Sequence, residues 1–361
     1  MSVHAPGKKR LEELAILRGF ACLAVLVMHA VNRNNASMLL PELEKLALFA
    51  TPLFVFLASF LLFYSYPDKL PERFLRKRLT YIAIPYLLWS FIYTTYSHIY
   101  HRGALPGLKD LVIQAATGQY HIYFILIIVQ FYLLFMLILR RRWAGALTAW
   151  PMVAAAFVLN AGYLWGFAAT SAPWPSAAFL WDRSYYLLFP AWGFYFLAGG
   201  ALARHYEPAM RLVQRYKWGV LAVLAAAAGL VLQMNGPVTS KRLEVLIYTA
   251  AVIPVLFWAA RSVRGRAHWL QVISAYSFGI YLSHPLFFRL AGSWFSTAHP
   301  WLYFAQALVV QAVGGFLLTW LVSRLPYGSL LVGKVPGVRG WPRRKRSKKL
   351  AECSTTASAA S

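Results

Sequence analysis

Apolar stretches long enough to cross a bilayer recur along the whole of this chain. A hydrocarbon core about 30 Å thick takes roughly 20 helical residues to span. Ten such stretches can be marked, at about 14–31, 46–66, 80–97, 121–139, 147–167, 186–203, 218–234, 243–260, 270–290 and 301–323. Composition agrees: 60% of the 361 residues are hydrophobic and only 13% are charged, too few to clothe a soluble protein of this length. The expected fold class is therefore all-α, a polytopic membrane helix bundle of about ten transmembrane helices. The first stretch follows Lys8, Lys9 and Arg10 but lacks a small-residue cleavage site, so it reads as a retained helix rather than a signal peptide.

Lysine and arginine orient the bundle. With the N-terminus in the cytoplasm, 28 of the 36 basic residues fall on inner segments. These are the N-terminal cluster with Arg18, Lys69 to Arg78, Arg140 to Arg142, Arg204 to Lys217, Arg261 to Arg266, and the tail from Arg324. Arg33, Lys45, Arg102, Lys109, Arg183, Lys241, Arg242 and Arg289 fall in or beside outer loops, of which His98 to Tyr120 and Ala168 to Tyr185 are the longest. Both termini are then cytoplasmic. A net charge of +25 could suggest nucleic acid, but the charge sits in short clusters between apolar runs, so the bilayer and no nucleic acid is the expected partner. Three regions result: a cytoplasmic segment 1–13, a membrane domain 14–323, and a basic tail 324–361 that reads as disordered and attracted to anionic lipid. Cys22 and Cys353 fall at different levels, so neither a disulfide nor a cysteine metal site is expected.

Within the first stretch Arg18 and His29 lie eleven residues apart. At about 100° and 1.5 Å per residue they return to nearly one helix face, roughly 16 Å apart along the axis. Ionisable groups at such depth are costly and point to function; the plain alternative is an arginine marking a helix end and a histidine bonding a neighbouring helix. Topology also places His121, which opens the fourth span, and His284, in the ninth, at an outer depth similar to that of His29. Three imidazoles at one level could form one pocket suited to general-base chemistry on a hydroxyl. No His-x-x-x-His spacing or close carboxylate accompanies them, so no metal is expected. Tyr281 shares a face with His284, and Pro285 should loosen that helix and expose backbone carbonyls. At the cytoplasmic mouth of the third span, Arg73, Arg76, Lys77 and Arg78 make with Arg18 a positive funnel that would attract a phosphate-bearing donor. Ordinary positive-inside charge explains the same residues. Phosphate-loop, serine-hydrolase and zincin motifs are absent.

Several segments resemble, in order, the acyltransferase-3 family of membrane O-acyltransferases. Leu17-Arg18-Gly19-Phe20 through His29 is similar to its first-helix signature, and Thr51 to Leu57 to its second span. Phe74 to Arg78 followed by Ile82, Pro85 and Tyr86, Gly118 to Phe124, and Ser277 to His284 resemble later family segments. The resemblance covers roughly 14–323. Ala58-Ser59 replaces a common Ser-Gly pair, and Tyr81 stands where a second arginine is frequent, which ranks Arg18 above Arg78 as a donor contact. Longer members add a hydrolase-like domain; here a short basic tail occupies that end.

The resemblance implies transfer of an acyl group, usually acetyl, from acyl-CoA to a hydroxyl of a carbohydrate or other cell-envelope acceptor. It implies a bacterial plasma-membrane location, and acyl-CoA as donor substrate with no tightly bound cofactor. His29 would be general base or transient acyl carrier, Arg18 a donor anchor or charge stabiliser, Arg76 and Arg78 further donor contacts, and His121, Tyr281 and His284 acceptor-positioning or oxyanion-assisting groups. A rival reading is an exporter or flippase of a glycan or lipid-linked sugar, although matching halves with interrupted helices are not evident. A structural scaffold would leave the Arg18–His29 register as coincidence.

Overall fold

A computed structural model describes residues 11–31, 39–296 and 298–336, and the structural statements below concern those residues. They form fifteen α-helices linked by turns and short 3-10 segments, without strands. In chain order α1 (Glu12–Ala30), α2 (Leu39–Ala47) and α3 (Ala50–Ser65) precede α4 (Phe74–Arg102), α5 (Leu108–Thr117) and α6 (Phe124–Arg140). Next come α7 (Ala144–Leu147), α8 (Trp150–Ala169), α9 (Ala178–Leu187) and α10 (Gly193–Arg204). The last are α11 (Tyr206–Arg215), α12 (Lys217–Leu232), α13 (Leu243–Ser262), α14 (His268–Ala291) and α15 (Pro300–Val322).

Every expected span falls on these helices, but not all are spans of one kind. Seven helical runs are long and apolar enough to cross a membrane, or eight if α11 and α12, bent by 85°, count as one broken span. Outside that set are α4, 29 residues long, and α14, 24 residues long. Both are more polar because they carry Arg76, Lys77 and Arg78 on one and His284 and Arg289 on the other. The expected span 186–203 is interrupted between α9 and α10 by a 3-10 turn, Phe189–Trp192, containing Pro190; proline removes a helical N–H and its ring crowds the preceding turn.

Two expectations for the connecting segments are corrected. The stretch His98 to Tyr120, expected as an outer loop, contains α5, which folds back along α4: Tyr86 Oη donates to the Ala115 carbonyl at 2.5 Å. The tail, expected to be disordered from Arg324, stays ordered and packed through residue 336. Trp89 Nε1 donates to the Leu331 carbonyl at 3.0 Å, and Val332 and Val335 are buried. Leu330, Leu331 and Val332 are apolar enough to dock. The basic run Arg343 to Lys349, Lys8, Lys9, Arg10, Arg33 and Cys353 lie outside the described residues.

Close helix contacts use small residues, as they do where apolar burial gives little drive for association. A Cβ on Gly19 would stand 2.2 Å from the Leu270 carbonyl oxygen, so α1 meets α14 backbone to backbone there. Further along the same pair, Cys22 and Leu26 cluster with Ile280, and His29 reaches His284. Both helices therefore run in one direction, as the charge-derived topology requires. Gly199 on α10 similarly meets the Phe56 carbonyl of α3, and Ser59 donates to the Phe196 carbonyl. The core fills with aromatic rings, including Phe60, Phe131, Phe196 and Phe257; Phe131 and Phe196 stack with centroids 4.4 Å apart. Buried Glu13 pins one end of α1, accepting from Tyr206 Oη at 2.6 Å and from Arg264.

Candidate functional site

One end of the site is built on aromatic rings. Phe74, at the start of α4, is buried between Tyr66 and Tyr132, with ring centroids 5.4 and 5.8 Å away. The Arg78 guanidinium lies 5.4 Å from the Phe74 ring and 5.6 Å from the Tyr132 ring. Arg18 on α1 and Arg78 both act electrostatically on Tyr132, so two cations from separate helices share one neighbourhood. Arg76 does not join them. Two residues along an α-helix is a rotation of about 200°, and Arg76 stands exposed on the other side.

At the other end of α1 the three histidines meet. The His29 and His284 rings are 5.1 Å apart between centroids, His121 and His284 5.0 Å, and His29 and His121 6.5 Å. Burial grades across them: His284 is fully buried, His121 half-buried and His29 exposed. Tyr281 joins the group and donates its hydroxyl to the His121 carbonyl.

Pro285 explains how the imidazoles are held. In an α-helix the carbonyl of residue 281 accepts from the N–H of residue 285, and proline has no N–H. The freed Tyr281 carbonyl instead accepts from His121 Nε2 at 2.8 Å and from His284 Nδ1 at 2.9 Å. One carbonyl later, Leu282 accepts from Tyr93 Oη at 2.6 Å. Side chains from three helices thus re-satisfy the turn that the proline opens, the usual compensation for proline inside a bilayer.

A carbonyl only accepts, so both bonding nitrogens must carry hydrogen. In its neutral form His284 therefore presents Nε2 as a bare lone pair, and that nitrogen is buried without a hydrogen-bond partner among the described residues. His121 is likewise committed to the Nε2–H tautomer, leaving Nδ1 bare. The fixed backbone of α14 sets the protonation pattern of the cluster, as a carboxylate does in other histidine sites. Among the described residues no group of three or more histidine, cysteine or acidic side chains is arranged to hold a metal ion.

A cavity of about 230 Å³ opens beside the cluster, walled by His29, His121, Tyr93, Tyr120, Arg289 and Gln311 among others. Tyr120 has φ 64° and ψ −179°, a region almost reserved for glycine that costs about 1–3 kcal/mol elsewhere. Strain of this kind persists only where surroundings over-determine it. Gly118, at φ 58°, turns the chain out of α5, and His121 is tied to α14, so Tyr120 is held between two fixed points.

Of the residues singled out from the sequence, the structure brings His29, His121, His284 and Tyr281 together beside Pro285 and places Arg18 and Arg78 near one another, with Arg76 apart. Sequence reasoning missed Tyr93, Tyr120, Gln311 and Arg289 as wall residues. Arg289 had a signal, as a cation on the side where few fall and five residues after His284. Tyr93 and Gln311 had none, because burial inside a span looks alike for any neighbour.

The chain is similar to known proteins over most of its length. A family profile described as an acyltransferase domain matches residues 11–324. A Bacillus subtilis (strain 168) protein whose name describes a membrane-bound acyltransferase is 28% identical over 347 residues, covering 90% of this chain and 95% of the relative. A Staphylococcus aureus (strain MRSA252) protein named for export of poly-β-1,6-N-acetyl-D-glucosamine is 27% identical over 297 residues, covering 77% and 83%. A Staphylococcus epidermidis protein of the same name is 26% identical over 293 residues, covering 77% and 81%. No solved structure matches.

Proposed function

We propose that this chain, which belongs to the acyltransferase-3 family and is a membrane acyltransferase, moves an acyl group from cytoplasmic acyl-CoA to a hydroxyl of an envelope carbohydrate. The supporting observation is the triplet of histidines beside an open cavity, with two of them locked in tautomer by the carbonyl that Pro285 frees. In this reading both termini are cytoplasmic, the membrane is the bacterial plasma membrane, and acetyl is the group carried.

The chemistry follows from the site. Arg18 and Arg78 hold donor phosphates at the inner mouth. The pantetheine arm runs beside α1, roughly the 16 Å that separates the levels of Arg18 and His29, and presents the thioester at the cavity. His29, exposed to that cavity, takes the proton of the acceptor hydroxyl as its oxygen attacks the thioester carbon. The C–S bond breaks, and the His29 imidazolium returns the proton to the thiolate, giving ester and free CoA thiol. His284 acts through His29: its bare Nε2 can accept a His29 N–H and fix the neighbouring tautomer. His121 and Tyr281 hold the wall against which the acceptor rests.

The test is the O-acyl content of envelope glycans in cells expressing wild type, His29→Ala or Arg18→Ala, with membrane abundance measured in each. Loss of a specific ester at normal abundance is expected, whereas unchanged acylation in His29→Ala removes the catalytic role. A second reading, glycan export, draws on the relatives named for that activity. Donor turnover separates the two, because an exporter consumes no acyl-CoA.

A further inference from the structure

Arg289 stands on the wall of the histidine cavity, and acyl transfer as described gives it no task. Its guanidinium lies 5.6 Å from the Tyr120 ring and 5.8 Å from the Tyr96 ring. Among the described residues no carboxylate forms an ion pair with it, and the whole chain has only 11 acidic residues. A cation held beside aromatic rings and without an acid partner keeps N–H donors available, and the guanidinium fork matches a carboxylate or phosphate in two parallel bonds. The residue beneath it, Tyr120, is the one held in a strained backbone conformation. Two independent features, an acid-free guanidinium and a strained ring support, therefore coincide at one point of the cavity.

The donor does not account for this cation. Its phosphates have Arg18 and Arg78 at the inner mouth, roughly 16 Å of helix from the level of His29, and Arg289 lies a further turn beyond His284 on α14. An anion drawn to Arg289 belongs instead to the molecule that enters from the outer side. We propose that Arg289, seated on Tyr96 and Tyr120, binds a carboxylate or phosphate carried by the acceptor and so brings the neighbouring hydroxyl to His29. The acceptor is then an acidic saccharide, such as a uronic acid or a sugar phosphate. This rests on the acyl-transfer reading of the cavity. A lipid headgroup phosphate is the other source of the same chemistry at this level.

Protection of His29 against diethyl pyrocarbonate tests the proposal without an identified acceptor. The full-length protein is placed in nanodiscs of phosphatidylcholine, and carbethoxylation of His29 is followed by peptide mass spectrometry. D-glucuronate, inorganic phosphate and D-glucose serve as probes. Glucuronate and phosphate should slow the modification, and glucose should not. In Arg289→Gln, judged against its own unprotected rate, the half-protecting concentration should rise about tenfold or more, the factor one charge-assisted hydrogen bond carries. Arg289→Lys should recover part of it. Equal protection by glucose, or unchanged protection in Arg289→Gln, overturns the proposal. So does protection by phosphatidylglycerol alone that Arg289→Gln abolishes, since the anion is then a lipid; no effect of that lipid supports an acceptor. Failure of the acyl-transfer reading itself shows separately, as unchanged glycan acylation in His29→Ala cells.

Discussion

Replacing Pro285 with alanine should make the protein more stable and less active. The new alanine brings an N–H to the helical position from which the Tyr281 carbonyl is normally bonded. That carbonyl already accepts from His121 at 2.8 Å and His284 at 2.9 Å. It has two lone pairs, so a third donor displaces one imidazole. The lost bond is worth about 0.5–1.5 kcal/mol net, and about 1 kcal/mol is a factor of 5 in the population of the ordered arrangement. In the other direction, proline inside a helix costs about 3 kcal/mol relative to alanine, of which α14 recovers part by relaxing. The expected result is a thermal midpoint at or above that of wild type, with donor turnover down about fivefold or more. The pH–rate profile should also change shape, because the displaced imidazole no longer has one nitrogen committed. Release of free CoA thiol by protein in nanodiscs gives the rate, and tryptophan fluorescence gives the midpoint. Wild-type turnover in the variant, or rate and stability falling together, would rule out the freed carbonyl as the organiser of the cluster.

Other perturbations read other parts of the structure. Gly19→Ala puts a Cβ 2.2 Å from the Leu270 carbonyl oxygen, a backbone atom that cannot rotate away. The overpacking should cost about 1–3 kcal/mol, lowering the midpoint and moving His29 from His284. Arg18→Ala should raise KM for acyl-CoA with a smaller change in kcat, and the wild-type KM should rise with salt, measured by initial rates across ionic strength. Burial, followed by the nearby Arg183 charge, lowers the Lys241 ammonium to about 8. The folded state then binds fewer protons than the unfolded chain as pH rises from 8 toward the usual lysine range, so Lys241 makes stability increase over that window. Midpoints measured across it should rise less in Lys241→Met than in wild type, and identical slopes would remove Lys241 as the cause.

Much of the fold is legible in the chain because a bilayer is a demanding solvent. Each spanning segment must satisfy its own backbone hydrogen bonds, so the ten apolar stretches each fall on helices. Where expectation and structure part, the local composition is mixed. Leu330 to Val332 sit beside a basic run that masks them, and α5 is too short for a span and depends on docking against α4. The histidine level is also readable, since span order and residue position fix depth. Charge alone groups Arg76 with Arg78, although helical rotation places them on different sides.

Depth along the helix bundle is thus carried by the linear order of residues: helices, their relative direction, Arg18 at one level, and His29, His121 and His284 at the other. Rotation about each helix axis and the choice of neighbour came only with packing. Whether Tyr93 faced the cavity or lipid depended on how α4 packed. Which donors would take the carbonyl freed by Pro285 depended on the turn before α6 arriving beside α14. Arg289 became a wall of the site because Tyr96 and Tyr120 came under it. A one-dimensional pattern records what each segment buries, and the contacts that make a site are between segments far apart in the chain.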